Sequence, residues 1–199
     1  ISTLRRRLVS ISMIHKLKGH YLDTKHPIIV ENLMGIRRVK GSIQKGKKPL
    51  LINHLKSIIN IIDQQKIQEI KKIRDKSIIL VGFGGGFRRT ELVSIDHEDL
   101  EFVPEGLKIT IKRSKTDQFG EGMIKGLPYF NNEIYCPVVN LKKWLEISKI
   151  KSGPIFRRFS KGSLLTDNRL TDQSVVFLMK KYLKLAGIEN NNFAGHSLR

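Results

Sequence analysis

The chain has 199 residues, 40% of them hydrophobic, with 37 lysines and arginines against 18 acids and a net charge of +19. The hydrophobic share excludes a merely polycationic tail, and no apolar run approaches the roughly 20 residues of a membrane-spanning helix. A charge this large calls for a polyanionic partner, nucleic acid first, because neutralising phosphates releases condensed counterions.

In chain order, Ser2 or Thr3 can cap a helix with Leu4, Leu8, Ile11, Ile14 and Leu17 on its apolar face and Arg5, Arg6, Arg7 and Lys16 on the other. This opening is too basic for a signal peptide, and the lack of an initiating Met points to a chain cut from something longer. Pro27 suits the first turn of a second helix, which runs through Ile29, Val30, Leu33, Met34 and Ile36 toward Arg37, Arg38 and Lys40. Residues 1–50 hold twelve lysines and arginines and two acids, so more than half of the net charge sits in a quarter of the chain. Lys40 to Pro49 reads as an exposed linker, dividing the chain into domains of residues 1–46 and 47–199.

Beyond the linker, Leu51, Leu55, Ile58 and Ile62 mark one helix, and a second is predicted from about Ile67 to Phe83. The glycines Gly82, Gly84, Gly85 and Gly86 end it. They do not match a nucleotide loop, since no Gly-Lys-Ser/Thr follows; a helix end with a tight turn fits them better. A short helix near Thr90 carries Leu92, Val93 and Ile95. Leu107, Ile109 and Ile111 then alternate with Lys108, Thr110 and Lys112 as a strand, with Met123 to Tyr129 as its hairpin partner. Helices follow over Val138 to Ser148, around Trp144, and over Thr171 to Leu185, with Val175, Leu178, Met179 and Leu183 on one face. The sole cysteine, Cys136, excludes an internal disulfide and a cysteine zinc cluster, fits a reducing cytosol, and reads as a small core residue.

Three short motifs carry chemistry. Arg88 and Glu91 lie three apart at a helix start, so the carboxylate can hold the guanidinium as a fixed fork for phosphate oxygens. Lys115, in Ser114-Lys-Thr-Asp117, falls at the hairpin tip, where an ammonium can protonate a leaving 5′ oxygen. His196 and Arg199, in the terminal Gly195-His-Ser-Leu-Arg199, add a group that exchanges protons near neutral pH and a second phosphate clamp. Each motif alone also suits a solvated charge or a surface ion pair.

The order of these motifs resembles the tyrosine recombinases, the phage-integrase type. Gly86-Phe-Arg-Arg-Thr-Glu-Leu92 is similar to that family's pattern around its first arginine, Lys115 matches its hairpin lysine, and His196-Ser-Leu-Arg199 matches its His-x-Leu-Arg box. Ser2-Thr-Leu-Arg-Arg-Arg-Leu8 and Gly35-Ile-Arg-Arg38 look like pieces of its helical core-binding domain. The resemblance implies a mainly α protein with a small antiparallel sheet (α+β): a tyrosine-recombinase catalytic fold over 47–199, behind part of a core-binding domain over 1–46.

It further implies double-stranded DNA as partner, with Arg5, Arg6, Arg7, Lys16, Arg37, Arg38 and Lys40 on the DNA. Arg88, Lys115, His196 and Arg199 would be catalytic, with Glu91 supporting Arg88. The mechanism implied is attack by a tyrosine hydroxyl, giving a 3′-phosphotyrosine link without metal or other cofactor. Tyr21, Tyr129, Tyr135 and Tyr182 all precede the His-x-Leu-Arg box, so none matches the nucleophile. The expectation is a cytoplasmic, DNA-associated fragment truncated at both ends, monomeric by itself and binding DNA without cleaving it. Its complete parent would act as a tetramer on DNA. A noncatalytic basic nucleic-acid-binding module, or the remnant of a decayed integrase gene, is the alternative.

Overall fold

Two helices, α1 (Ser2–Leu17) and α2 (Pro27–Lys40), carry the basic opening of the chain. The structure, a computed structural model, describes residues 1–41, 46–112, 122–195 and 197–198. Neither Ser2 nor Thr3 caps α1 as the sequence predicts. The ladder begins one residue earlier, with the Arg5 N–H donating to the Ile1 carbonyl at 3.0 Å, so Ser2 is already helical. In α2, Pro27 takes the first-turn position where its missing N–H costs nothing, and His26 Nδ1 accepts the Ile28 N–H at 3.3 Å. Neither helix buries a residue. Arg5, Arg6, Arg7, Lys16, Arg37, Arg38 and Lys40 are exposed, and so is most of the apolar face of α1, Leu17 to 79%.

The chain separates into two units, Ile1–Gly46 and Lys47–Arg199. The second holds the core. α3 (Ile52–Gln64) buries Leu55, Ile58, Ile59 and Ile62, a single apolar stripe at helical spacing. α4 (Glu69–Gly84) buries Ser77 through Gly82 without a break, because neighbours surround it: α3, α5 (Arg89–Ser94), α6 (Pro137–Ser148) and α7 (Asp172–Leu185). Within α6, Trp144 is buried and its indole N–H donates to the Ile155 carbonyl at 2.7 Å, which satisfies its one polar atom. α7 starts at Thr171, whose hydroxyl accepts the Ser174 N–H. Cys136 is buried as read, with its sulfur accepting the Phe130 N–H.

The expected two-stranded hairpin is a three-stranded antiparallel sheet, β1 (Leu100–Val103), β2 (Gly106–Ile111) and β3 (Met123–Pro128), in sequence order. Leu107 pairs with Leu127, Ile109 with Lys125 and Ile111 with Met123. A second antiparallel pair, β4 (Arg157–Phe159) and β5 (Leu165–Arg169), also went unpredicted. Both omissions have the same cause. β1 is four residues long and lacks alternating burial, and β5 is mostly polar, so neither shows a period-two pattern. The mainly α, α+β class follows as predicted. Among the described residues, no helix is long and apolar enough to cross a membrane.

Candidate active site

The glycine run is where α4 stops and the chain turns. The Phe87 N–H donates to the Gly82 carbonyl at 3.1 Å and the Gly86 N–H to the Phe83 carbonyl at 3.2 Å, the paired bonds of a Schellman cap. Gly86 takes the left-handed position at φ +54°, which glycine adopts without strain. Gly85 is required for a different reason: a Cβ there would lie 2.1 Å from the Phe87 ring. Phe87 is 1% exposed and anchors the turn in the core. The next residue, Arg88, is thereby delivered in extended conformation at the N-cap of α5.

Glu91, one turn into α5, reaches back to Arg88. Its Oε2 accepts the Arg88 backbone N–H at 2.9 Å, and its Oε1 meets Arg88 Nη1 at 2.6 Å. The carboxylate is 3% exposed and the guanidinium side chain 17%, so this pair is withdrawn from water and unlike the surface ion pair that the spacing also allowed. Lys125 approaches from β3, its ammonium 3.8 Å from Glu91 Oε2. Arg89 pairs with Asp172 at the start of α7 at 3.2 Å, and Arg169 donates to the Val93 carbonyl at 2.6 Å near the end of α5. The short helix is thus tied at both ends, and the Arg88 fork is held before any ligand arrives.

Lys115, His196 and Arg199 lie outside the described residues. Of the last motif, Gly195, Ser197 and Leu198 are described. A Cβ at Gly195 would come 2.7 Å from Arg89 Cδ, so the backbone at Gly195 runs close beside the Arg89 side chain at the start of α5. The Ser197 carbonyl accepts the Leu50 N–H at 2.7 Å, its hydroxyl accepts the Ala194 N–H, and Leu198 is buried, 3.4 Å from where a Cβ on Gly82 would stand. The segment flanking His196 therefore packs on the corner that presents Arg88.

Tyr21 is 90% exposed, and the other three tyrosines hydrogen-bond within the fold. Tyr182 is buried on α7 and donates to Asp75 Oδ2 at 2.7 Å, Tyr135 donates to Asn60, and Lys142 donates to the Tyr129 hydroxyl. Sequence reasoning missed Asp75 and Lys125. Asp75 gives no local signal for a partner 107 positions away, whereas Lys125 gives one: a lysine at an inward position of an alternating strand.

The sequence profile of the phage integrase family matches residues 49–199. The chain belongs to that family. An integrase/recombinase xerD homolog of Selenomonas ruminantium is 40% identical over 201 aligned positions, which cover 100% of this chain and 58% of the homolog. The chain thus spans under two thirds of the curated relative it matches. Among solved structures, the XerH site-specific recombinase bound to palindromic difH substrate in a post-cleavage complex shares the fold. Its TM-score is 0.59 at 17% identity, covering 76% of this chain and 40% of XerH. The XerA recombinase superposes with a TM-score of 0.54 at 15% identity, over 96% of this chain and 63% of its own. The phage integrase family thereby accounts for the architecture around α4 and the sheet.

Proposed function

We propose that residues 47–199 are the phosphate-handling part of a site-specific DNA recombinase, and that residues 1–46 belong to a domain that clamps duplex DNA. The observation that carries this reading is the buried Arg88–Glu91 fork at the end of a Schellman turn. A guanidinium fixed in advance stabilises charge developing on a phosphate without reorganising during the reaction. In the proposed mechanism, Arg88 and Arg199 neutralise the phosphorane-like transition state. His196 assists proton transfer, and Lys115 protonates the leaving 5′ oxygen. Glu91 keeps Arg88 oriented. A tyrosine hydroxyl forms the 3′-phosphotyrosine link, and the bond energy is kept for religation. None of Tyr21, Tyr129, Tyr135 or Tyr182 matches the family's nucleophile position, so the 199-residue chain is expected to bind DNA without forming the covalent link.

The exposed cations of α1 and α2, Arg5, Arg6, Arg7, Lys16, Arg37, Arg38 and Lys40, suit phosphate contacts that set register rather than sequence. The test is covalent trapping on nicked suicide duplexes carrying the protein's recombination site. The full-length gene product should trap DNA as a protein–DNA adduct, and the 199-residue chain should bind without an adduct. An adduct formed by the 199-residue chain would move the nucleophile into it. Binding without any adduct from the full-length product would leave a noncatalytic nucleic-acid-binding module.

A further inference from the structure

We propose that Lys125 is a positioning residue for Arg88: it fastens the glycine turn and Glu91 from the sheet side, so that the arginine is presented in one orientation. On β3 it pairs with Ile109, and on either side of that pair Leu107 meets Leu127 and Ile111 meets Met123. Cross-strand partners share a face, and Ile109, Leu107 and Leu127 are all buried there. An apolar residue is what that position asks for. A lysine drawn out of water on a core face is costly unless its charge meets compensating groups.

The compensating groups are those that shape the site. Lys125 Nζ donates to the Gly85 carbonyl at 2.9 Å and to the Gly86 carbonyl at 3.2 Å, the two residues that turn the chain into Arg88. It lies 4.4 Å from the centre of the Phe87 ring, a cation–π contact with the residue that anchors the same turn. It also stands 3.8 Å from Glu91 Oε2, the oxygen that takes the Arg88 backbone N–H. One ammonium therefore touches Gly85, Gly86, Phe87 and Glu91, which together fix both the backbone and the side chain of Arg88. A lysine serving only the sheet would have no reason to reach the turn 39 and 40 positions away.

The first arm of the test does not depend on recombinase activity. In the 199-residue chain with labelled arginine, the Arg88 guanidinium resonances should shift and broaden in Lys125→Met. They should stay near wild type in Lys125→Arg, whose guanidinium can still donate to both carbonyls, and in Lys108→Met, a control at an exposed site on β2. Lys125→Leu covers the case where Lys125→Met does not fold. It gives Ile109 an apolar partner, which offsets part of the loss of the contacts to the turn, so it should fold and still perturb Arg88. Unchanged Arg88 resonances in folded Lys125→Leu would overturn the proposal.

The second arm rests on the recombinase reading. In the full-length product, Lys125→Leu should slow strand cleavage at saturating DNA about tenfold or more, leaving DNA affinity within about twofold. Added to Arg88→Ala it should slow cleavage no further, because both changes act through one group. Additive losses would show that Lys125 acts independently of Arg88 and would also overturn the proposal. A wild-type product that does not cleave removes the recombinase reading alone, since the resonance arm still decides the role of Lys125.

Discussion

Glu91 closes on Arg88 at two points, one carboxylate oxygen taking the backbone N–H at 2.9 Å and the other the guanidinium at 2.6 Å. Because the carboxylate is 3% exposed, removing it takes a buried counter-charge from an arginine that is itself largely out of water, which differs from losing a surface pair. Glu91→Ala is expected to destabilise the unit by about 3 kcal/mol. Glu91→Gln keeps an acceptor for the backbone N–H and should cost less. Urea unfolding of the 199-residue chain checks the order; equal losses for the two variants would mean that the charge alone carries the effect and that the retained acceptor contributes nothing.

Arg88 itself should matter to chemistry more than to affinity, since a fork fixed in advance contributes most when charge develops on the phosphate. In the full-length gene product, Arg88→Ala is expected to lower strand cleavage by about two to three orders of magnitude. DNA binding in a gel-shift titration should change little. Binding lost in proportion to cleavage would make Arg88 a residue that positions DNA.

Arg88 and Glu91 were legible because their chemistry is local. An arginine and a glutamate at helical spacing behind a glycine run specify a capped turn, and the fold builds that turn from backbone bonds within six residues. Lys125 was half legible: its place in the strand pattern marks it as unusual, but its partners belong to a turn that the pattern does not join to β3. The Asp75–Tyr182 hydrogen bond could not be read at all, because α4 and α7 meet only through the core. β1, β4 and β5 were hidden by shortness and polarity. They pair because neighbouring strands offer partners, which overrides weak local preference.

The two central glycines should fail in different ways. Gly86→Ala places a side chain at φ +54° and is expected to cost about 1 kcal/mol, the penalty of a left-handed residue with a Cβ. Gly85→Ala drives a methyl to 2.1 Å from the Phe87 ring and must displace that anchor. It should cost more, about 2 kcal/mol, and should weaken cleavage along with stability. Thermal or urea unfolding of both variants tests the ranking; a milder Gly85→Ala would show that Phe87 can move without loss.

Binding of the 199-residue chain to duplex DNA is expected to depend steeply on salt, with affinity falling about three decades between roughly 50 and 200 mM. Replacing Arg5, Arg6 and Arg7 with alanine should flatten the log–log slope by about 0.9 for each phosphate that these arginines neutralise. Fluorescence anisotropy at several salt concentrations reads both quantities. A slope unchanged by the triple substitution would take the start of α1 off the DNA.

Tyr182 offers a pH test of the core. Its hydroxyl donates to Asp75 Oδ2 at 2.7 Å, and Asp75 also accepts from Arg74 Nη2 at 2.7 Å. Burial, then the Asp75 charge and the hydrogen bond to it, push the phenol well above its ordinary value of 10.0. A raised folded-state value means that the native protein holds this proton more tightly than the unfolded chain does. The resulting stability is complete below pH 10 and declines above it by about 1.4 kcal/mol per pH unit. Tyr182→Phe should therefore cost about 1–3 kcal/mol at neutral pH, since it leaves a buried acceptor short of a donor. Its deficit relative to wild type should shrink as the pH rises beyond 10, because only wild type loses the phenol's contribution there. Many lysines titrate in the same range, and taking the difference between the two proteins removes their share. Urea unfolding of both at about pH 8 and about pH 11 measures that difference; a gap that stays constant would show that the Tyr182 hydroxyl ionises as freely in the folded protein as in water.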